Sequence, residues 1–159
     1  MSIAVLDKAF SILEVLARAG RALSLAELYP VHRLDKVTSG LVIMAKTAAS
    51  NRELCRLFAE RNIEKYYLAI ASAKPNKKQG LICGDMERGR RSSWKLLKTK
   101  LNPALTQFYS YALQPGVRLF LLKPSTGKTH QLRVALKSLA APILGDKLYS
   151  GDDNYALAG

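Results

Sequence analysis

The stretch TQFYSYALQPGVRLFLLKP, residues 106–124, constrains the fold more than any other part of the chain. Side chains alternate along TQFYSYAL, as they do where a strand turns successive residues to opposite faces. Pro115-Gly116 is a turn pair, and VRLFLLKP returns as the partner strand. A long hairpin of this kind commits the chain to an antiparallel sheet, which other elements must cover.

Those other elements are also readable. Residues 2–19 carry Ile3, Leu6, Phe10, Leu13 and Leu16 or Ala17 at helical spacing, with Ser2 as cap and Gly20 as end. Ser24 introduces a short helical piece, LAEL, that Pro30 stops. GLVIMA, residues 40–45, reads as a buried strand. Thr47 caps a helix running through about Arg61, with Leu54, Leu57 and Phe58 on one face. KYYLAIAS, residues 65–72, is a strand; KPNKKQG is a loop; LIC, residues 81–83, is a short strand. The next stretch, DMERGRRSS, is basic and poorly periodic. STGKTH is a polar turn into the helical HQLRVALKSLA, where Ala140-Ala141 stand in place of a terminating Gly and predict a different cap. The sum is an α+β fold, a mainly antiparallel mixed sheet with flanking helices and a helical N-terminus, without internal repeats.

The 159 residues suit one ordinary domain, and 48% hydrophobic with 23% charged residues is the balance of a globular chain. No run of 18 apolar residues predicts a membrane span, and no secretory signal is visible. Cys55 and Cys83, without a CxxC pair, suit a reducing cytoplasmic compartment and build no zinc site. A net charge of +13 points to an anionic partner. From Lys74 to Lys100 nine basic residues stand against Asp85 and Glu87, whereas residues 1–28 balance three against three. A solvated lysine-rich surface is one reading of that stretch. Dense phosphate contact with a nucleic acid is the other.

Two polar clusters carry the chemistry. In VHRLDKVTSG, residues 31–40, Asp35 alone is an ordinary Asx-turn residue. Thr38-Ser39-Gly40, turning directly onto an apolar strand, makes a rigid mount for its carboxylate, and Arg33 and Lys36 flank it with positive charge. Leu34 separates this string from the kinase HRD pattern, and no second carboxylate supports glycoside hydrolysis. In STGKTHQLR, residues 125–133, a Gly turn opens a helix in an anion-friendly arrangement, with Arg133 near its first turn. His130, taken alone, caps or packs the helix and binds no metal.

VHRLDKVTSGLVIMAK, IEKYYLAIA and KPSTGKTHQLRVALKSLAAPILGDKLY, in this order, resemble the RluA-type family of RNA pseudouridine synthases over about residues 29–150. The resemblance implies an enzyme that turns a uridine of rRNA or tRNA into its C-linked isomer, without metal or cofactor. It gives Asp35 the role of nucleophile. It places Tyr67 on the target base and pairs Arg133 with the aspartate, while Tyr66 points to the opposite strand face. Arg33 fills the gap left by the extruded nucleotide, and extrusion is required because a stacked base is out of reach. Arg88, Arg90, Arg91 and Lys95 track structured RNA, with His32, Lys36, Lys128 and His130 as further contacts.

The N-terminus departs from that pattern. The family opens with a strand and an apolar-Asn-Lys-Pro segment, whereas residues 1–28 resemble the opening helices of an IclR-type helix-turn-helix domain. This predicts a helical segment at 1–28 and a catalytic domain at 29–159, read as a truncated version with exposed sheet edges. A homo-oligomer covering those edges is the alternative to leaving them bare. Three functions follow: the uridine isomerase, an RNA-binding module without turnover, and a DNA-binding regulator built on 1–28.

Overall fold

The computed structural model describes residues 28–150. The helix predicted over 2–19, all of LAEL except Leu28, and the tail beyond 150 lie outside the described residues. The chain divides into two compact units, Met1–Ile63 and Glu64–Gly159.

In the first unit β1 (Tyr29–Pro30) pairs antiparallel with β2 (Met44–Ala45), Tyr29 opposite Ala45 and Pro30 opposite Met44. The buried strand expected over residues 40–45 is therefore only two residues long, and Leu41 at its predicted start is 87% exposed. Past Pro30 one backbone bond continues the pairing, from Val31 N to Ile43 O at 3.1 Å. Beyond it the Ile43 amide donates to a side chain, His32 Nε2, at 3.0 Å. Helix α1 (Ala48–Ala59) follows, with Thr47 as N-cap accepting from the Ser50 amide at 3.0 Å. Leu54, Leu57 and Phe58 form its half-buried face, as their spacing predicts.

The second unit is built on the predicted hairpin. β7 (Ala104–Gln114) and β8 (Val117–Pro124) pair around Pro115-Gly116, with a register shift between Ala112 and Gln114. Proline fixes a negative φ and so excludes the primed turns that match strand twist; the irregularity beside the turn absorbs the mismatch. β3 (Tyr67–Ala71) adds to β8 and β4 (Gln79–Gly84) adds to β7, giving the antiparallel order β3-β8-β7-β4. Ala69, Ala71, Ile82, Phe108, Phe120 and Leu122 line one face and pack with Ala135, Leu136 and Ala141. Two of these packing partners, Ala135 and Leu136, belong to α2 (Gln131–Ser138). The opposite face leaves Leu68, Leu81, Tyr111 and Leu113 exposed. One sheet edge is partly covered: the Leu144 amide donates to Ile70 O at 2.8 Å, and Ala71 bridges Ile143.

Two local expectations are corrected. DMERGRRSS supplies the first strand and the loop of a second hairpin, β5 (Met86–Arg88) with β6 (Trp94–Leu96), in which Glu87 faces Lys95. Three-residue strands are too short to show a period. The C-cap of α2 does not differ for lack of Gly. Ala140 takes φ 55° itself, and the Ala140 and Ala141 amides donate to Lys137 O and Leu136 O at 3.0 and 3.1 Å. That is the Schellman pattern with alanine in the left-handed position. Gly84 is required for space, since a Cβ there would lie 2.1 Å from Leu97 O. Among the described residues no helix is long and apolar enough to cross a membrane.

Candidate active site

Asp35 lies in the loop that joins β1 to β2. The loop is pinned at its base by the Val31 amide on Ile43 O at 3.1 Å and by the His32 bond to Ile43. The His32 ring also lies 5.1 Å from that of Phe58. His32 thus has a structural task within its own unit, with Nε2 as an acceptor. At the tip, Thr38 N donates to Asp35 O at 2.9 Å, closing a turn with Lys36 and Val37 exposed at its corners. Arg33 is exposed and Asp35 is partly buried. Gly40, at φ +151°, carries the chain out of the turn.

In the second unit the STGKTH turn is fastened to β7 by Gln131, which is buried. Its Nε2 donates to Leu105 O at 3.0 Å and to Thr106 Oγ1 at 2.9 Å. Its Oε1 accepts from Thr126 Oγ1 at 2.8 Å and from the Lys128 amide at 2.9 Å. Lys128 Nζ donates to Asn102 O at 2.6 Å, so this lysine helps close the turn onto the strand. His130 then caps α2 from a left-handed backbone, φ 56° and ψ 19°, and makes no side-chain cap bond. Such strain in a non-glycine residue marks segments that the surrounding fold over-determines.

That conformation sets Arg133 on the first turn of α2. Its Nε and Nη2 donate to Asp146 Oδ2 and Oδ1, both at 2.7 Å. The arginine side chain is 15% exposed and the carboxylate 4%, so this is a buried bidentate pair. Asp146 also heads a turn: its backbone oxygen accepts from the Tyr149 and Ser150 amides. The turn brings the Tyr149 ring beneath the guanidinium, 4.9 Å from its carbon. Tyr149 Oη lies 2.9 Å from His130 Nδ1 and accepts the Trp94 amide at 2.9 Å. Asp146 and Tyr149 stand in the sequence as part of PILGDKLY, but no spacing rule connects them to Arg133.

Tyr67 opens β3 opposite Leu122 and packs on the core. Tyr66 points away and is 56% exposed, its hydroxyl donating to Glu64 and its ring 5.2 Å from the Lys123 ammonium. The Lys123 hydrogen bond, and then that of Tyr66, hold the Glu64 carboxyl below its ordinary pKa. Lys65 reaches the STGKTH turn, with Nζ 3.4 Å from Thr126 O, and burial lowers its pKa.

Four predicted RNA contacts sit on one hairpin. Arg88 ends β5, Arg90 and Arg91 occupy the exposed loop, and Lys95 lies on β6, 2.7 Å from Glu87. Arg91 and Ser92 both take positive φ. The Trp94 amide joins this hairpin to Tyr149. The structure therefore gathers His130, Arg133, Asp146, Tyr149 and the root of the basic hairpin in one place. Asp35, Arg33, Lys36 and His32 share the loop of the first unit.

The fold is similar to that of solved proteins named for an RNA pseudouridylate synthase domain. Human RNA pseudouridylate synthase domain containing 4 superposes with a TM-score of 0.65 at 33% identity, over 80% of this chain and 53% of that one. The sequence profile of RNA pseudouridylate synthase matches residues 14–138. An uncharacterized RNA pseudouridine synthase of Haemophilus influenzae is 59% identical over 129 residues, 81% of this chain and 58% of its own. The dual-specificity RNA pseudouridine synthase RluA of Escherichia coli is 39% identical over 132 residues, 80% of this chain and 60% of its own. The chain belongs to the RNA pseudouridylate synthase family, in its RluA-type branch. It spans about three-fifths of the length of these curated relatives.

Proposed function

We propose that this chain isomerises a uridine of rRNA or tRNA to pseudouridine. The observation that carries the reading is the family match over residues 14–138, which contains the HRLD and THQLR strings. Asp35 is the nucleophile, as in other covalent carboxylate catalysis. Its carboxylate adds either to ribose C1′, with the N1–C1′ bond breaking and its electron pair leaving on uracil, or to the uracil ring. The detached uracil turns, C5 bonds to C1′, the carboxylate is released, the C5 proton departs and N1 takes one up. Atoms balance without an oxidant or reductant.

Tyr67 packs on the target base and assists removal of the C5 proton. Arg133 orients the aspartate, its guanidinium already fixed through Asp146. Arg33, exposed beside Asp35, takes the place of the extruded nucleotide and offsets part of the few kcal/mol that unstacking costs. Arg88, Arg90 and Arg91 track phosphates, and folded RNA is recognised largely by shape.

Tritium release from RNA labelled at uridine C5 tests this directly. Wild type is expected to release tritium from an rRNA or tRNA transcript, and Asp35→Asn to release none while binding the same RNA. Binding by wild type without release from any such transcript would replace the isomerase with a binding module.

A further inference from the structure

We infer that Tyr149 is a positioning residue for Arg133 and couples it to the basic hairpin. Tyr149 is 5% exposed, and its ring carries the Arg133 guanidinium at 4.9 Å. Asp146, which grips the Nε and Nη2 edge of that guanidinium, accepts the Tyr149 amide on its backbone oxygen at 3.1 Å. One turn thus supplies both the carboxylate and the ring between which Arg133 is held. The hydroxyl accepts the amide of Trp94 from β6, and its distance to His130 Nδ1 is 2.9 Å.

A phenol has one proton, and the Trp94 N–H already points at its oxygen. Tyr149 Oη and His130 Nδ1 share one hydrogen bond, whose direction the His130 tautomer sets. The ring meets His130 edge-on, 5.8 Å between centroids at 90°. The hydroxyl therefore locks three parts together: the strained residue that starts α2, the arginine one turn on, and the strand that bears the RNA-tracking loop.

This role presupposes that Arg133 serves the uridine reaction. Tyr149→Phe in the full chain keeps the ring and removes only the hydroxyl. The expected result is a fall in kcat for tritium release of about tenfold, the scale of a small misplacement near the reacting atoms. The KM for RNA and the thermal midpoint should stay close to wild type. Unchanged kcat in an active enzyme overturns the positioning role and leaves the isomerase reading intact. A loss of kcat matched by a collapse of the thermal midpoint overturns it too. Nitrogen NMR gives a readout without turnover: in Tyr149→Phe the His130 ring nitrogens should shift and the Arg133 Nε–H should exchange faster than in wild type. If wild type proves inactive the isomerase reading fails, and these two signals alone decide whether Tyr149 sets Arg133.

Discussion

Arg133 and Asp146 form a buried ion pair, and such a pair has two opposed consequences. Replacing both partners by apolar groups is often neutral, whereas removing one strands a charge at a cost of about 3–5 kcal/mol. The carboxylate is thus as necessary to the arginine as any substrate contact. Residues of this kind are hard to find in sequence. HRLD and THQLR are legible because a fixed order of side chains is written in the string itself. Asp146 and Gln131 stand there too, but Arg133 lies 13 residues from the first and Thr106 lies 25 from the second, across turns. Ala140 is a smaller case. An L-residue at φ 55° costs about 1–2 kcal/mol and glycine returns part of that as chain entropy, so Ala140→Gly should stabilise by about 1 kcal/mol. A urea midpoint that does not rise would contradict the left-handed cap.

Among the elements, long strands declare themselves and short ones do not. β7 and β8 alternate over enough residues to be read directly, and their turn is a Pro-Gly pair. β5 and β6 have three residues each, and charge pairing of Glu87 with Lys95 replaces any apolar stripe. β2 shows the reverse error: an apolar string promises a strand, but the Ile43 amide turns to the His32 ring and the ladder ends after two residues. The segment after β6 is held by Asp85, whose carboxylate accepts the Leu101 and Asn102 amides at 3.0 and 2.8 Å. Its pKa is lowered, first by the Thr99 hydroxyl, then by the Leu101 and Asn102 amides and the nearby Lys128 charge. A carboxyl lowered in the folded state stabilises above its unfolded pKa of about 3.9, and that stabilisation is lost as pH falls through the lower folded value. The advantage of wild type over Asp85→Asn in thermal midpoint should therefore be level above about pH 4 and shrink below it. An advantage that persists unchanged at pH 2 would show that the charge is not what closes the segment.

At the scale of the whole molecule, charge is easier to read than apolar surface. The net charge of +13 is a property of composition, legible at once, and four of the basic residues sit on a hairpin that the sequence conceals. Each phosphate that a cation neutralises releases counterions, so the salt dependence of binding reports how many phosphates the protein holds. The double variant Arg90→Gln with Arg91→Gln should weaken binding to different RNAs about equally. It should also flatten the plot of log affinity against log salt by about 1 for each phosphate no longer held. A slope equal to wild type in a fluorescence titration would remove the loop from the RNA interface. The exposed Leu68, Leu81, Tyr111 and Leu113 lie on the sheet face turned away from the core, where no sequence rule fixes what meets them.

Gln131 has a consequence for how a family signature is understood. Its amide nitrogen has two protons and its oxygen two lone pairs, and all four are engaged by Leu105, Thr106, Thr126 and Lys128. A side chain so saturated is mute toward an incoming nucleotide. The glutamine in THQ is therefore a rivet between turn and sheet, and a chain can keep it intact while changing entirely which RNA it reads.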